Sequence, residues 1–522
     1  AELLVVPQVV YRSQTSLGLL AATRGDMAEA EAAFLRAAAL VEELRAPLPA
    51  EEFHTAFVAD KLLPYVELAR LSLAREHHVA ALAYVERARS RALVDMLGGA
   101  LPTRPRPRDA FEANLLAQLV AIRDELNWLY TQLSRPDEGW NDGDDATVGQ
   151  LEEAVRERER HIQELIRQGQ HGSTSTGLRQ TITEGDIRRL QHNLPPDTVV
   201  VEYFSVDGAL AAFVVDQASI TVHRDLGSED AVDALVEQLR FQTDTLRNGV
   251  ERVRAHLDLL ARRARHYLRA LYDTLLSPLE ERVGTRRLVV VPYRTLHYVP
   301  FHALYDGAQY VIEQREVCCV PSAIVLQHCL DRPHSPLRHA LLMGVADEQT
   351  PEVRDEIVAL EPLFDRAEVF LNEHATRAAL FEHAPHIDVL HLACHGQFRP
   401  DNPLFSSLRL GDGWLTVYDA YALESSCGLV TLSACETGVS AIAPGDELIG
   451  LARGFFSIGV PTLLVSLWTA DDASTATLMQ TFYTHLRDGE RPAAALRMAQ
   501  RRLLAEAPHP FFWSPFVLLG RW

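Results

Sequence analysis

His391-Leu-Ala-Cys-His395-Gly396, followed some forty residues later by Leu432-Ser-Ala-Cys435-Glu-Thr-Gly438, decides how the rest of this chain is read. Each motif closes an apolar run, Asp388-Val-Leu-His-Leu-Ala-Cys in one case and Cys427-Gly-Leu-Val-Thr-Leu-Ser-Ala in the other. Short aliphatic and β-branched runs that end in polar, glycine-containing loops are the signature of buried parallel strands. Open α/β sheets bind and react at the carboxyl ends of such strands. If the two strands are neighbours, the His395 imidazole and the Cys435 thiol leave the sheet at one edge. There the imidazole can take the thiol proton, and the thiolate is the nucleophile. Gly396 lets backbone N–H groups approach a carbonyl, so the amides of Gly396 and Cys435 are the natural oxyanion donors.

The neighbouring residues are less telling. Period-2 spacing sets His391 on the face of His395 and Cys394 on the other, and both read as packing residues. A zinc site from His391, Cys394, His395 and Cys435 has no second closely spaced Cys/His pair to support it, so no metal and no cofactor is expected. The six cysteines fall at 318, 319, 329, 394, 427 and 435, without the spacing of a disulfide framework, and read as reduced thiols. The 522 residues are 47% hydrophobic and 23% charged, as in ordinary globular chains, and too many for one core. A formal charge of −21 argues against direct contact with nucleic acid or an anionic membrane and favours basic partners. The most apolar stretch, 450–470, is interrupted by Arg453, Gly454, Gly459 and Pro461. No spanning helix or signal peptide is read, and a cytoplasmic protein is expected. The chain opens on Ala1, which suggests a trimmed or processed product.

Residues 1–100 read as helical repeats. Arg24-Gly-Asp-Met-Ala-Glu-Ala and Arg75-Glu-His-His-Val-Ala-Ala carry small residues at the same offsets, in the manner of tetratricopeptide helix pairs. Residues 101–180 hold a Pro/Arg linker and two helical runs, 110–135 and 147–169, expected to form an antiparallel hairpin. From 181 to 335 the pattern turns to strands and helices, with Asp207-Gly208 as a hairpin turn between two apolar runs. The last unit, 336–522, alternates strands at 339–346, 388–394, 428–434, 462–468 and 515–520 with helices, which predicts a parallel sheet. Pro444-Gly-Asp446-Glu447 reads as a helix start capped by Asp446.

These motifs resemble those of the caspase-like cysteine peptidases, and more closely their bacterial CHAT branch with "HLACHG", "LSACETG" and a later Ser466-Leu-Trp468 followed by acids. The resemblance implies an α/β caspase-like parallel-sheet peptidase in two halves, a pseudo-catalytic one at 181–335 and a catalytic one at 336–522, preceded by the tetratricopeptide-like helices. It implies endopeptidase chemistry on a protein substrate, with His395 and Cys435 as catalytic residues, and a regulatory protein or complex engaging the helices in bacterial stress, cell-death or phage-defence signalling. Ser433, Trp468, Asp471 and Asp347 are the expected borders of the pocket before the scissile bond, which carboxylates would make hospitable to Arg, Lys or uncharged side chains. Asp471 and Asp472 also read as caps of the following helix, and no third residue orienting His395 is identifiable. Two other readings stay open: a catalytically silent scaffold, and a Cys-His hydrolase acting on non-peptide acyl groups.

Overall fold

The computed structural model describes residues 7–45, 54, 57, 60–89, 91–99, 101, 103, 107, 109–133, 145–172, 181–247, 254–334, 336–347, 350–397, 406–433, 441–443 and 446–522. Its centre is one sheet of eleven strands: β1 Thr198–Val206, β2 Ala209–Val215, β3 Ile220–Ser228, β4 Arg287–Val291, β5 Val317–Cys319, β6 His339–Gly344, β7 Arg366–Leu371, β8 Val389–Ala393, β9 Leu429–Ser433, β10 Thr462–Ser466 and β11 Phe516–Gly520. They lie in the order β3-β2-β1-β4-β5-β11-β10-β9-β8-β6-β7. Runs such as Leu288-Val-Val-Val and Leu429-Val-Thr-Leu are buried along their whole length, because helices cover both faces of a mostly parallel sheet. The Asp207-Gly208 turn joins β1 to β2 with both residues left-handed, at φ 54° and 79°, the backbone that a two-residue hairpin requires.

The two halves share this sheet. β5 pairs with β11 through Cys319 and Leu519, so the last strand of the chain joins the block begun at β1 to the one that carries the motifs. The alternating pattern predicts β11 parallel to its neighbour; the structure has it antiparallel to β10. Two helices, Asp472–Arg487 and Pro492–Glu506, intervene between these strands. One helix returns the chain to the end where the strand began, and a second carries it back again, so the next strand must run the other way. A second correction falls at 446–449. Those residues form a strand paired with Ala441–Ala443, and the helix begins only at Leu451, after Gly450 at φ 151°.

The helical region stacks pairs. Pro7–Thr23 with Met27–Arg45 and Leu63–Ala74 with His78–Arg87 turn at equivalent places, where Gly25 and Glu76 both have positive φ. The hairpin Ala110–Leu133 and Asp145–Gly172 packs on them around Phe34, Leu68, Leu119 and Leu126, forming a second core apart from that of the sheet.

Buried polar groups fasten scaffold to sheet. The Glu86 carboxylate, fully buried, accepts from Ala323 N and Ile324 N at 2.9 Å, while Ser322 accepts from Val325 N. Together they satisfy the first N–H groups of helix Ala323–Asp331, where the helix dipole favours negative charge. Arg89 donates to the carbonyl of Tyr203 at 2.6 Å and approaches buried Glu202. Removing the Glu86 carboxylate strands two buried donors, so Glu86→Ala is expected to destabilise the protein by about 2–3 kcal/mol. Arg156→Ala, at a solvent-exposed ion pair, should cost under about 0.5 kcal/mol. Thermal unfolding of the two variants side by side checks this, and equal midpoints would refute the role of Glu86.

Candidate active site

β8 and β9 are adjacent and parallel, in the register His391↔Thr431 to Ala393↔Ser433. β6 flanks β8 on its other side, with Gly344 opposite Ala393. Three strands therefore deliver their carboxyl ends to one edge. His395 leaves the end of β8 there. Cys435 follows β9 and lies outside the described residues, as do Glu348 and the 398–405 and 434–440 segments.

A small antiparallel sheet covers the site beside His395. Gly396–Gln397 pairs with Ser407–Leu410, which pairs in turn with Gly413–Thr416, and Arg409 N donates to the His395 carbonyl at 2.8 Å. The alternation Leu408-Arg-Leu410-Gly-Asp-Gly413-Trp-Leu415 carries the signal for this hairpin. Gly411 sits so close to the next turn that a Cβ there would lie 2.2 Å from the Asn372 carbonyl oxygen. Gly396, the expected oxyanion donor, is in this sheet opposite Leu408.

The His395 Nε2 atom lies 2.8 Å from Asp347 Oδ2, an ion-pair contact without the alignment of a finished hydrogen bond. Catalytic hydrogen bonds often reach full alignment only with substrate bound. Arg409 approaches the same carboxylate oxygen at 3.7 Å. Asp347, read from sequence as a pocket border, thus stands against the imidazole. Asp471 accepts from Ser474 N and Oγ as the cap of helix Asp472–Arg487, and Asp472 accepts from Glu352 N. Burial raises the Asp472 carboxyl above its ordinary range. Both carboxylates accept hydrogen bonds from the nearby backbone. Trp468 is buried and donates to the Phe511 carbonyl at 3.3 Å, and Ser433 is buried at the end of β9.

His391 belongs to a buried polar chain beneath the site. Its Nε2 lies 2.9 Å from Glu356 Oε1, its Nδ1 is 3.2 Å from the Tyr483 hydroxyl, and Tyr483 donates to Thr431 Oγ1 at 2.7 Å. The chain ties β8, β9 and two covering helices together one turn of the pleat below the strand ends. Among the described residues no group of three or more potential ligands is arranged to hold a metal ion.

The first half holds a Cys–His pair that the sequence reading missed. Cys319 ends β5, and it lines one small cavity together with His297, Leu467 and Val517. Burial pushes the Cys319 thiol up to about 12 and, with Arg89, the His297 imidazole down to about 3. Both groups are neutral at physiological pH, so no thiolate forms there. Burial likewise raises the thiols of Cys318, Cys329 and Cys427. Iodoacetamide at neutral pH should therefore leave Cys318, Cys319, Cys329 and Cys427 unmodified in the native protein and label them once it is unfolded. Peptide mass spectrometry reads this directly, and native labelling of any of the four would contradict it.

Comparison with known proteins agrees with this architecture. The family description "CHAT domain" matches residues 265–521. Tetratricopeptide repeat protein 28 of Homo sapiens is 24% identical over 608 residues, covering 97% of this chain and 24% of that protein. Its Mus musculus counterpart is 25% identical over 321 residues, covering 48% of this chain and 13% of its own length. The chain thus spans a quarter or less of these curated relatives. Among solved structures, the Saccharomyces cerevisiae separase–securin complex has a chain similar over 98% of this one and 47% of its own, with a TM-score of 0.50 and 10% identity, a likeness of fold. The residues that match this description, 265–521, hold the strands from β4 to β11 and follow a helical region of stacked pairs.

Proposed function

We propose that this chain is a caspase-like cysteine endopeptidase in which Cys435 is the nucleophile and His395 its base. One observation carries the reading: β8 and β9 are adjacent and parallel and end in register at Ala393 and Ser433, each two residues before His395 and Cys435 in the sequence. In the mechanism, the Cys435 thiol gives its proton to His395 and the thiolate adds to the scissile carbonyl. Amides at Gly396 and Cys435 receive the oxyanion. His395 then protonates the leaving amine as the C–N bond breaks, and water, deprotonated by the same ring, hydrolyses the thioester. A thiol of this kind needs a reducing compartment, so we assign the protein to the cytoplasm.

We further assign control to the helical region, where a regulatory protein or complex would bind, and a dedicated protein effector as substrate. Two contacts from that region to the surroundings of the site support this. Helix Arg91–Leu97 packs on Asp446–Ile449 and on helix Leu451–Ser457. Arg123 lays its guanidinium 3.8 Å above the ring of Tyr418, directly after the outer strand of the small sheet beside His395. A displacement of the helices is transmitted to both flanks of the site.

Cys435→Ala and His395→Ala should each abolish cleavage of a proteome-derived peptide pool, a loss of several powers of ten, while Cys394→Ala keeps most activity. Full activity in Cys435→Ala would refute the nucleophile. Because helix Leu451–Ser457 and its preceding strand follow the motif so closely, no excisable linker is expected after Cys435. Intact-mass analysis of the active protein should show one uncut chain, and an obligatory internal cleavage would overturn this.

A further inference from the structure

We propose that Asp347 is the positioning residue of His395, completing a Cys435–His395–Asp347 triad; the inference rests on the peptidase reading above and names the partner that fixes its base. β6 neighbours β8, and Val345 N still donates to the Ala393 carbonyl at 2.9 Å, so the chain leaving β6 emerges beside the chain leaving β8. Two residues later Asp347 meets the imidazole at 2.8 Å on Nε2.

The loop that carries Asp347 is held at both ends and within. Ala346 N donates to Asn372 Oδ1 at 3.0 Å, from a turn in which Asn372 itself adopts φ 50°. Thr350 N and Oγ1 both reach Asp347 Oδ1, at 3.2 and 3.3 Å. Glu352 N donates to Asp472 Oδ2 at 2.9 Å, and Glu356, one turn further, is fixed against His391. With Oδ1 taken up by Thr350, Oδ2 is left turned to the ring and to Arg409. Such support from surrounding groups is what holds a functional side chain to a productive geometry.

A carboxylate on Nε2 sets the tautomer. It keeps the proton on Nε2, so Nδ1 carries the lone pair that takes the Cys435 proton. After transfer the ring is an imidazolium, and the carboxylate stabilises that charge without being protonated itself. The thiolate–imidazolium pair then forms at lower pH than an ordinary thiol would ionise, near 8.5. Among the described residues, the charged groups that meet around this imidazole are Asp347 and, through it, Arg409.

The test uses the full-length chain and iodoacetamide as the probe, with the alkylation rate of Cys435 followed against pH by peptide mass spectrometry. In the wild type the rate midpoint should lie below the ordinary thiol range. In Asp347→Asn it should rise by about one pH unit, with a rate at pH 7 lower by about tenfold. Asp347→Glu should recover part of the shift. The side chain is 31% exposed, so the isosteric amide leaves the fold intact, which the unfolding midpoint reports. Selective ¹⁵N labelling of histidine in the wild type, with His395→Ala for assignment, should find the proton of the neutral ring on Nε2. An unchanged alkylation profile in Asp347→Asn, or a proton on Nδ1, overturns the inference while leaving the nucleophile in place. A wild-type midpoint already that of an ordinary thiol overturns the cysteine reading and this inference with it.

Discussion

The constraint on which the site depends is the register of three parallel strands, with β8 between β6 and β9 and Ala393 opposite both Gly344 and Ser433. Side chains alternate faces along a strand, so a slip by one residue would turn His395 away from its neighbours. The buried chain Glu356–His391–Tyr483–Thr431 guards that register, because each member lies on a different element and none can move alone. Its Tyr483–Thr431 link is a hydrogen bond, while Glu356 and His391 meet as a buried 2.9 Å contact without hydrogen-bond alignment, so the geometry of these elements is coupled through polar groups that are costly to leave without partners.

The sheet that provides these strands is one body only because its last strand is inserted at its middle. β11 makes the seam between β5 and β10, so the half beginning at β1 gives the reactive half a fully paired edge. That first half also brings a cysteine and a histidine to one cavity, Cys319 at the end of β5 and His297 in the turn after β4, yet both groups are neutral. Chemistry at such strand ends is decided by solvation and charge partners as much as by residue type: His395 stands partly exposed beside a carboxylate, and His297 is desolvated near Arg89.

Much of this was legible in the sequence, and the limits have physical causes. The parallel core strands and the Asp207-Gly208 turn carry local signals in residue type and period. The direction of β11 does not, since it follows from the number of helices crossed on the way. The helix start expected at Asp446 rested on composition, but pairing between Ala441–Ala443 and Asp446–Ile449 overrides it. Asp347 lies nearly fifty residues before His395 in the chain, and only the spatial order β6-β8-β9 shows that it reaches the ring. Asp471 illustrates the ordinary case, a carboxylate that caps the helix following it, as its sequence position also suggested.

The central claim is that the end of β9 presents a nucleophile to a substrate carbonyl with help from the end of β8. Trapping the acyl site with peptidyl acyloxymethyl ketones of varied sequence tests it most directly, because these form a stable thioether only with a thiolate held beside a bound peptide. The account predicts one adduct per chain, on Cys435, lost in His395→Ala. An adduct on any other cysteine, or an equal yield in His395→Ala, would contradict it.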